Sequence, residues 1–128
     1  LDELTTTGPN RVSHFGLGGD AAGTVVTETL DPQTLGFAIA RPEDLVGGEP
    51  KENAQITRDV LSGQDRGPRR DVVLLNAAAA LLVAGKADTL PQGVELTLRQ
   101  TQLPTPQWIH LNVKYAWGGP NQNGEMDL

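Results

Sequence analysis

The sequence contains no cysteine, which excludes a disulfide framework, a thiolate zinc site and a cysteine nucleophile, and fits a reducing compartment. A cytoplasmic location is the expectation. Histidine occurs only twice, at His14 and His110, and no Ser or Thr sits in an identifiable nucleophile elbow, so hydrolysis by a triad has no support. His14 falls in a strand-like run and reads as a structural or surface residue rather than a base. Positive charge is scarce as well: 10 Lys and Arg stand against 16 Asp and Glu, for a net charge of -6. Nucleic acid demands a basic stripe that neutralises phosphates, so it is not an expected partner. Long apolar runs are also missing. The longest, Val72 to Ala84, is interrupted by Asn76 and is too short to cross a bilayer, so neither a membrane role nor a targeting segment is expected.

What is present suits one globular domain, since 128 residues have room for a single core. Arg11 to Phe15 and Thr24 to Leu30, the latter rich in Thr and Val, read as strands. The intervening "GLGGDAAG", residues 16 to 23, supplies the positive-φ positions of a connecting loop, and a hairpin is the simplest outcome. Its glycines do not read as a phosphate loop, because such a loop leads from a strand into a helix N-terminus and here a β-rich run follows. "LDPQTLGF" and "RPEDLVGG" are turn-rich connectors, whose prolines disfavour helix at the preceding residue. They are expected to wrap the core rather than form it.

Three helices follow. Pro50 to Leu61 has proline in the first turn, Ile56 and Val60 four apart, and Gly63 just past the end, the signature of a one-faced surface helix. "RRDVVLLNAAAALLVAGK" begins after Gly67 and Pro68, with Asp71 in the first turn and Gly85 at the far end. It is apolar almost all round, so residues 72 to 84 are expected to be packed on several sides, as in a protein larger than this chain. Asn76 within it must find partners if buried, and a structural hydrogen bond to a neighbouring loop is favoured over a ligand contact. Arg66, Arg69 and Arg70 at the same helix start read as solvated charges or an Arg pair with Asp71 rather than an anion site. A third, short helix is expected from about Thr89.

From Leu96 onward the sequence changes character, gathering both tryptophans, the only tyrosine and the only methionine. "WIHLNVKYAW", residues 108 to 117, alternates with period two and predicts a strand; residues 118 to 128 are expected to be disordered.

The opening "LDELTTTGPNRV" carries the one candidate for chemistry, the adjacent carboxylates of Asp2 and Glu3. Such a pair on a loop can converge on a hard cation, and magnesium takes one or two protein carboxylates while substrate phosphates supply further oxygens. By residue type alone the pair is equally readable as two solvated acids near a chain end.

"LDELTTTGPNRV", "LDPQTLGF", the "GG" step before "ENAQITRDVLSG", and "GPRRDVVLLNAAAALLVAGKADTLPQGVEL" closely resemble, in this order and spacing, the last third of the anthranilate phosphoribosyltransferase family. The resemblance covers residues 1 to about 95 and leaves 96 to 128 as a divergent tail. It implies an α/β fold, the C-terminal part of the large α/β domain shared with nucleoside phosphorylase-like proteins, built of a β-hairpin plus helices with the tail strand as an extra. A nucleoside phosphorylase itself fits less well, because "LNAAAAL" and "DELTTTGP" match the anthranilate family better. The implied activity belongs to tryptophan biosynthesis: transfer of the phosphoribosyl group of phosphoribosyl pyrophosphate to the amino group of anthranilate, with release of pyrophosphate. Asp2 and Glu3 match the family's Asp-Glu pair and by resemblance bind Mg2+ at the pyrophosphate. The glycine-rich pyrophosphate loop, the Lys-His-Gly-Asn segment, the anthranilate-contacting Arg and the small helical domain that forms the family's homodimer interface have no counterpart here. The opening stretch is thus expected to be a metal-binding loop without the sequence that normally precedes it. In place of the family's Ala-rich helical ending stands an abrupt switch of the kind a frameshifted or fused reading frame produces. Two readings follow: part of a phosphoribosyltransferase that contributes a magnesium site, or a catalytically inactive fragment acting at most as a structural or interaction module.

Overall fold

The computed structural model describes residues 3–15 and 24–101. The glycine-rich connector 16 to 23, residues 108 to 117 for which the sequence predicts a strand, His110 and Asp2 lie outside the described residues. Strand β1 (Asn10–Phe15) pairs antiparallel with β2 (Val25–Leu30), with Asn10 opposite Leu30 and Phe15 opposite Val25. The period-two alternation sorts β1 as expected of a half-covered strand: Asn10, Val12 and His14 lie on the more covered face, while Arg11, Ser13 and Phe15 are exposed. On the exposed face the Ser13 and Thr27 hydroxyls meet at 2.8 Å across the ladder. On the other, His14 Nε2 lies 3.5 Å from a Glu28 carboxylate oxygen, so His14 takes the structural place expected of it.

Two short 3-10 turns follow. In the first, Pro32–Leu35, the Asp31 carboxylate accepts from the Gln33 N–H at 3.0 Å, and Gly36 closes the turn at φ 85, a left-handed conformation that L side chains rarely adopt. This connector does more than wrap the core. Pro32 is fully buried, and Phe37, 6% exposed, joins Leu74, Leu75, Ala78 and Val94 in the hydrophobic cluster. The expectation fails here because turn-forming residues report only local backbone shape, whereas the burial of Phe37 depends on helices more than 30 residues away. The second turn, Pro42–Leu45, is held by Arg41, whose Nη2 donates to Asp44 Oδ1 at 2.7 Å and whose Nε and backbone N–H both donate to Asp44 Oδ2.

Helix α1 (Pro50–Leu61) occupies the expected residues, with proline in its first turn and Val60 its buried residue. Gly63, at φ 72, turns the chain away. Helix α2 (Pro68–Val83) buries Leu74, Leu75 and Ala78, and each of the two leucines, fully buried, contributes about 1.5–3 kcal/mol relative to exposure. Its apolar surface is not covered on every side, since Val73 and Val83 are 41% and 74% exposed. Gly85, at φ 64, ends it. Helix α3 (Leu90–Thr101) starts with the Thr89 hydroxyl accepting from the Gln92 N–H and continues through Leu96, where the composition of the sequence changes. It packs along α2 so closely that a Cβ placed on Gly93 would lie 2.7 Å from the Ala78 carbonyl oxygen. Glycine is required there by the approach of two backbones rather than by φ.

Candidate metal centre

The loop from Glu3 to Pro9 runs beside α2 and leads into β1. Its backbone is held by side chains. The Asn76 carboxamide accepts from the Leu4 N–H at 2.9 Å and donates to the Leu4 carbonyl at 2.8 Å, and its second N–H goes to the Val72 carbonyl at 2.9 Å. Asn10 does the same for the next residue: its Oδ1 accepts from Thr5 N–H at 2.7 Å, and its Nδ2 donates to the Thr5 carbonyl at 2.9 Å. The Thr6 carbonyl in turn accepts from Ala40 N–H at 2.9 Å, and Thr6 itself is completely buried. Thr5 Oγ1 accepts from Thr7 N–H at 3.0 Å, a local bond that tightens the turn. Leu4 also packs against the hydrophobic cluster, so the loop is anchored by burial as well as by hydrogen bonds.

Glu3 is exposed, and its side chain makes no hydrogen bond or ion pair among the described residues. A hydrated carboxylate on an anchored backbone is a hard oxygen donor of the kind magnesium takes, and in that respect Glu3 fits the ion the resemblance implies. Asp2 lies outside the described residues, so the pairing of the two is not a structural observation. Among the described residues no cluster of three His, Cys, Asp or Glu side chains gathers. A cleft of about 570 Å³ beside Glu3 is lined by Thr5, Asn10, Arg11, Ser13 and Asn76 among others. A second depression, on the side of Val72 and Val73, also reaches Glu3 and Leu4. Glu3 thus borders open space on two sides, one of them polar. The apolar cavity of about 430 Å³ between α1 and α2, lined by Ile56, Val60 and Val72, does not reach Glu3.

Of the residues singled out in the sequence, Asn76 makes the expected structural bonds to a loop, and that loop is the acidic one. Arg70 pairs with Asp71 at 3.2 Å, as anticipated, while Arg69 donates to the Val46 carbonyl at 2.9 Å and Arg66 to the Gly63 carbonyl at 3.3 Å. Sequence reading missed Asn10. An Asn directly after Gly-Pro, at the start of a strand-like run, was the available signal, since Asn side chains commonly bond nearby backbone.

Comparison with known proteins bears on the whole of this region. A family model described as the a/b domain of the glycosyl transferase family matches residues 1–102. The anthranilate phosphoribosyltransferase of Desulfosudis oleivorans is 49% identical over 96 residues, which are 75% of this chain and 27% of that protein. That of Syntrophobacter fumaroxidans is 52% identical over 94 residues, 73% of this chain and 26% of that protein. The crystal structure of the Thermus thermophilus anthranilate phosphoribosyltransferase superposes with a TM-score of 0.67 at 35% identity, covering 80% of this chain and 28% of that one. The hairpin and three helices therefore form an α/β arrangement shared with that enzyme, and the chain spans about a quarter of the length of the curated relatives it matches. The chain belongs to the glycosyl transferase family, through its a/b domain.

Proposed function

We propose that this chain is part of an anthranilate phosphoribosyltransferase, an enzyme that moves the phosphoribosyl group of phosphoribosyl pyrophosphate onto the amino group of anthranilate in tryptophan biosynthesis. The observation that carries the reading is the family match, which begins at residue 1 and so includes Asp2 and Glu3. The two carboxylates would hold a magnesium ion, which supplies charge neutralisation at the departing pyrophosphate. The transfer asks for no protein nucleophile, because the attacking group is the amine of the second substrate, and positioning and electrostatics supply the acceleration. In this chain Asn10 and Asn76 hold the acidic loop, Glu3 borders the polar cleft, and the exposed Arg11 lines the same cleft, which places a cation where a phosphate oxygen could approach.

Because the chain spans about a quarter of its relatives' length, the turnover belongs to the whole enzyme, and these residues alone are proposed to be inactive. The scarcity of basic residues supports partners that are small molecules rather than nucleic acid, and the lack of cysteine supports the cytoplasm. No helix among the described residues is long and apolar enough to cross a membrane. The test is magnesium-dependent consumption of anthranilate and phosphoribosyl pyrophosphate by the chain alone and by the chain mixed with the N-terminal three quarters of a relative. Activity in the mixture alone, lost in the Asp2→Ala/Glu3→Ala double variant, is the expected result. A folded mixture without turnover overturns the assignment.

A further inference from the structure

Mid-way along α2, half-buried and on a different face of the helix from Leu74, Leu75 and Ala78, Asn76 puts a carboxamide into an otherwise apolar run, a costly choice wherever it is screened from water unless its geometry is needed. A polar side chain in such a place must be paired, and an apolar residue of the same shape, with its partners also apolar, would stabilise as well or better. Among neutral side chains only Asn and Gln present a donor and an acceptor side by side in one plane. That is the pattern with which a neighbouring strand would meet one residue of extended backbone. Asn76 uses it on Leu4 at 2.9 and 2.8 Å, and its third bond, to Val72 O at 2.9 Å, fixes the carboxamide to its own helix. Asn10 grips Thr5 in the same two-bonded way. All four backbone polar groups of residues 4 and 5 are therefore set by two amide side chains, one five residues away and the other 72. The next side chain along, that of Glu3, is the first without such a tie.

We propose that Asn76 is a positioning residue for Glu3: by fixing the backbone of Leu4 to the centre of α2, it sets where the Glu3 carboxylate stands beside the polar cleft. This rests on the reading of Asp2 and Glu3 as metal ligands given above. A residue that only fills a hole in α2 would affect stability and leave metal binding by the folded chain unchanged. A positioning residue alters metal binding in molecules that remain folded, as partners outside the ligand set do in metal sites generally.

The experiment is a manganese titration of the full chain followed by electron paramagnetic resonance, with amide hydrogen exchange at Leu4 as a metal-independent readout. Four proteins are compared: the unmodified chain, Asp2→Asn/Glu3→Gln, Asn76→Leu, and Val60→Ala as a destabilised control whose buried side chain lies on α1. The expected result is manganese binding lost in the acid variant, weakened about 10-fold or more in Asn76→Leu, and unchanged in Val60→Ala. In Asn76→Leu the Leu4 amide loses protection while those of Leu75 and Ala78 keep it. If Asn76→Leu does not fold, Asn76→Gln, which carries the carboxamide on a longer stem and so displaces Leu4, takes its place with the same expectation. Unchanged affinity in a folded Asn76 variant, with the acid variant still impaired, overturns the positioning role and leaves the metal reading standing. Binding that ignores Asp2→Asn/Glu3→Gln overturns the metal reading, and the positioning role with it. Retained protection of Leu4 in Asn76→Leu overturns the positioning role whatever the metal does.

Discussion

The two ends of β1 lie five residues apart and are held by different physics. At its start Asn10 is 8% exposed, bonds the backbone of Thr5 and stands opposite Leu30, which packs against the hydrophobic cluster. At its far end Phe15 and Val25 face each other at 64% and 65% exposure. Near the core, order comes from contacts with residues distant in sequence; further out it comes from the ladder between two strands, which by itself is marginally stable in water. The loop from Glu3 to Pro9 leads into the anchored end.

Four changes test that contrast. The largest effect is expected from Leu75→Ala, which removes a fully buried side chain from the cluster beneath the loop. Urea denaturation should show a loss of about 2–5 kcal/mol, and a loss no greater than that of a surface change would mean the loop is not anchored through the core. Asn10→Ala comes next, because it leaves Thr5 N–H and Thr5 C=O without their partners. It is expected to cost about 1–3 kcal/mol, with faster amide exchange at Thr5 and little change at Val26. Ser13→Ala deletes one exposed cross-strand bond and should cost about 0.2–1 kcal/mol, felt at the outer ladder and not at Leu4. An effect as large as that of Asn10→Ala would erase the distinction between the two ends.

The smallest effect concerns acid. The guanidinium of Arg41, and then its backbone N–H, hold the Asp44 carboxyl below the usual carboxylate range. A carboxyl depressed on folding contributes stability that is complete above its unfolded value of about 3.9 and is lost as pH falls through the lower folded value. Asp44→Asn should therefore shift thermal stability little at pH 7 and flatten only the part of the acid-denaturation curve below about pH 4, since a surface pair is weakened by solvent.

Legibility in the sequence follows the same division between local and distant causes. The bounds of α1 were readable because proline-first and glycine-last are local backbone requirements, and the two strands were readable from residue type on either side of a glycine-rich connector, most plainly from the Thr and Val of residues 24 to 30. That Asn76 would bond to a loop was also readable, because an amide in an apolar run has to be satisfied. Which loop was not, since Leu4 lies 72 residues away and no local pattern encodes the pairing. Pro32 and Phe37 sit in a stretch whose turn residues conceal its place in the core, and Gly93 in α3 reads as a flaw in a helix until Ala78 is seen against it. The acidic pair was legible as residue types, and its role came from resemblance rather than from spacing.

The bond between Leu4 and Asn76 also has a consequence in time. On the ribosome Leu4 is made 72 residues before Asn76, and a contact of such separation forms only after the intervening chain has been gathered, which makes it slow beside the local pairing of the hairpin. The strands can zip as soon as they emerge, whereas the acidic loop has to wait for the middle of α2. The loop that runs on from Glu3 is thus written early and set late, and a nascent chain stalled before residue 76 would hold Leu4 without the side chain that ties its backbone.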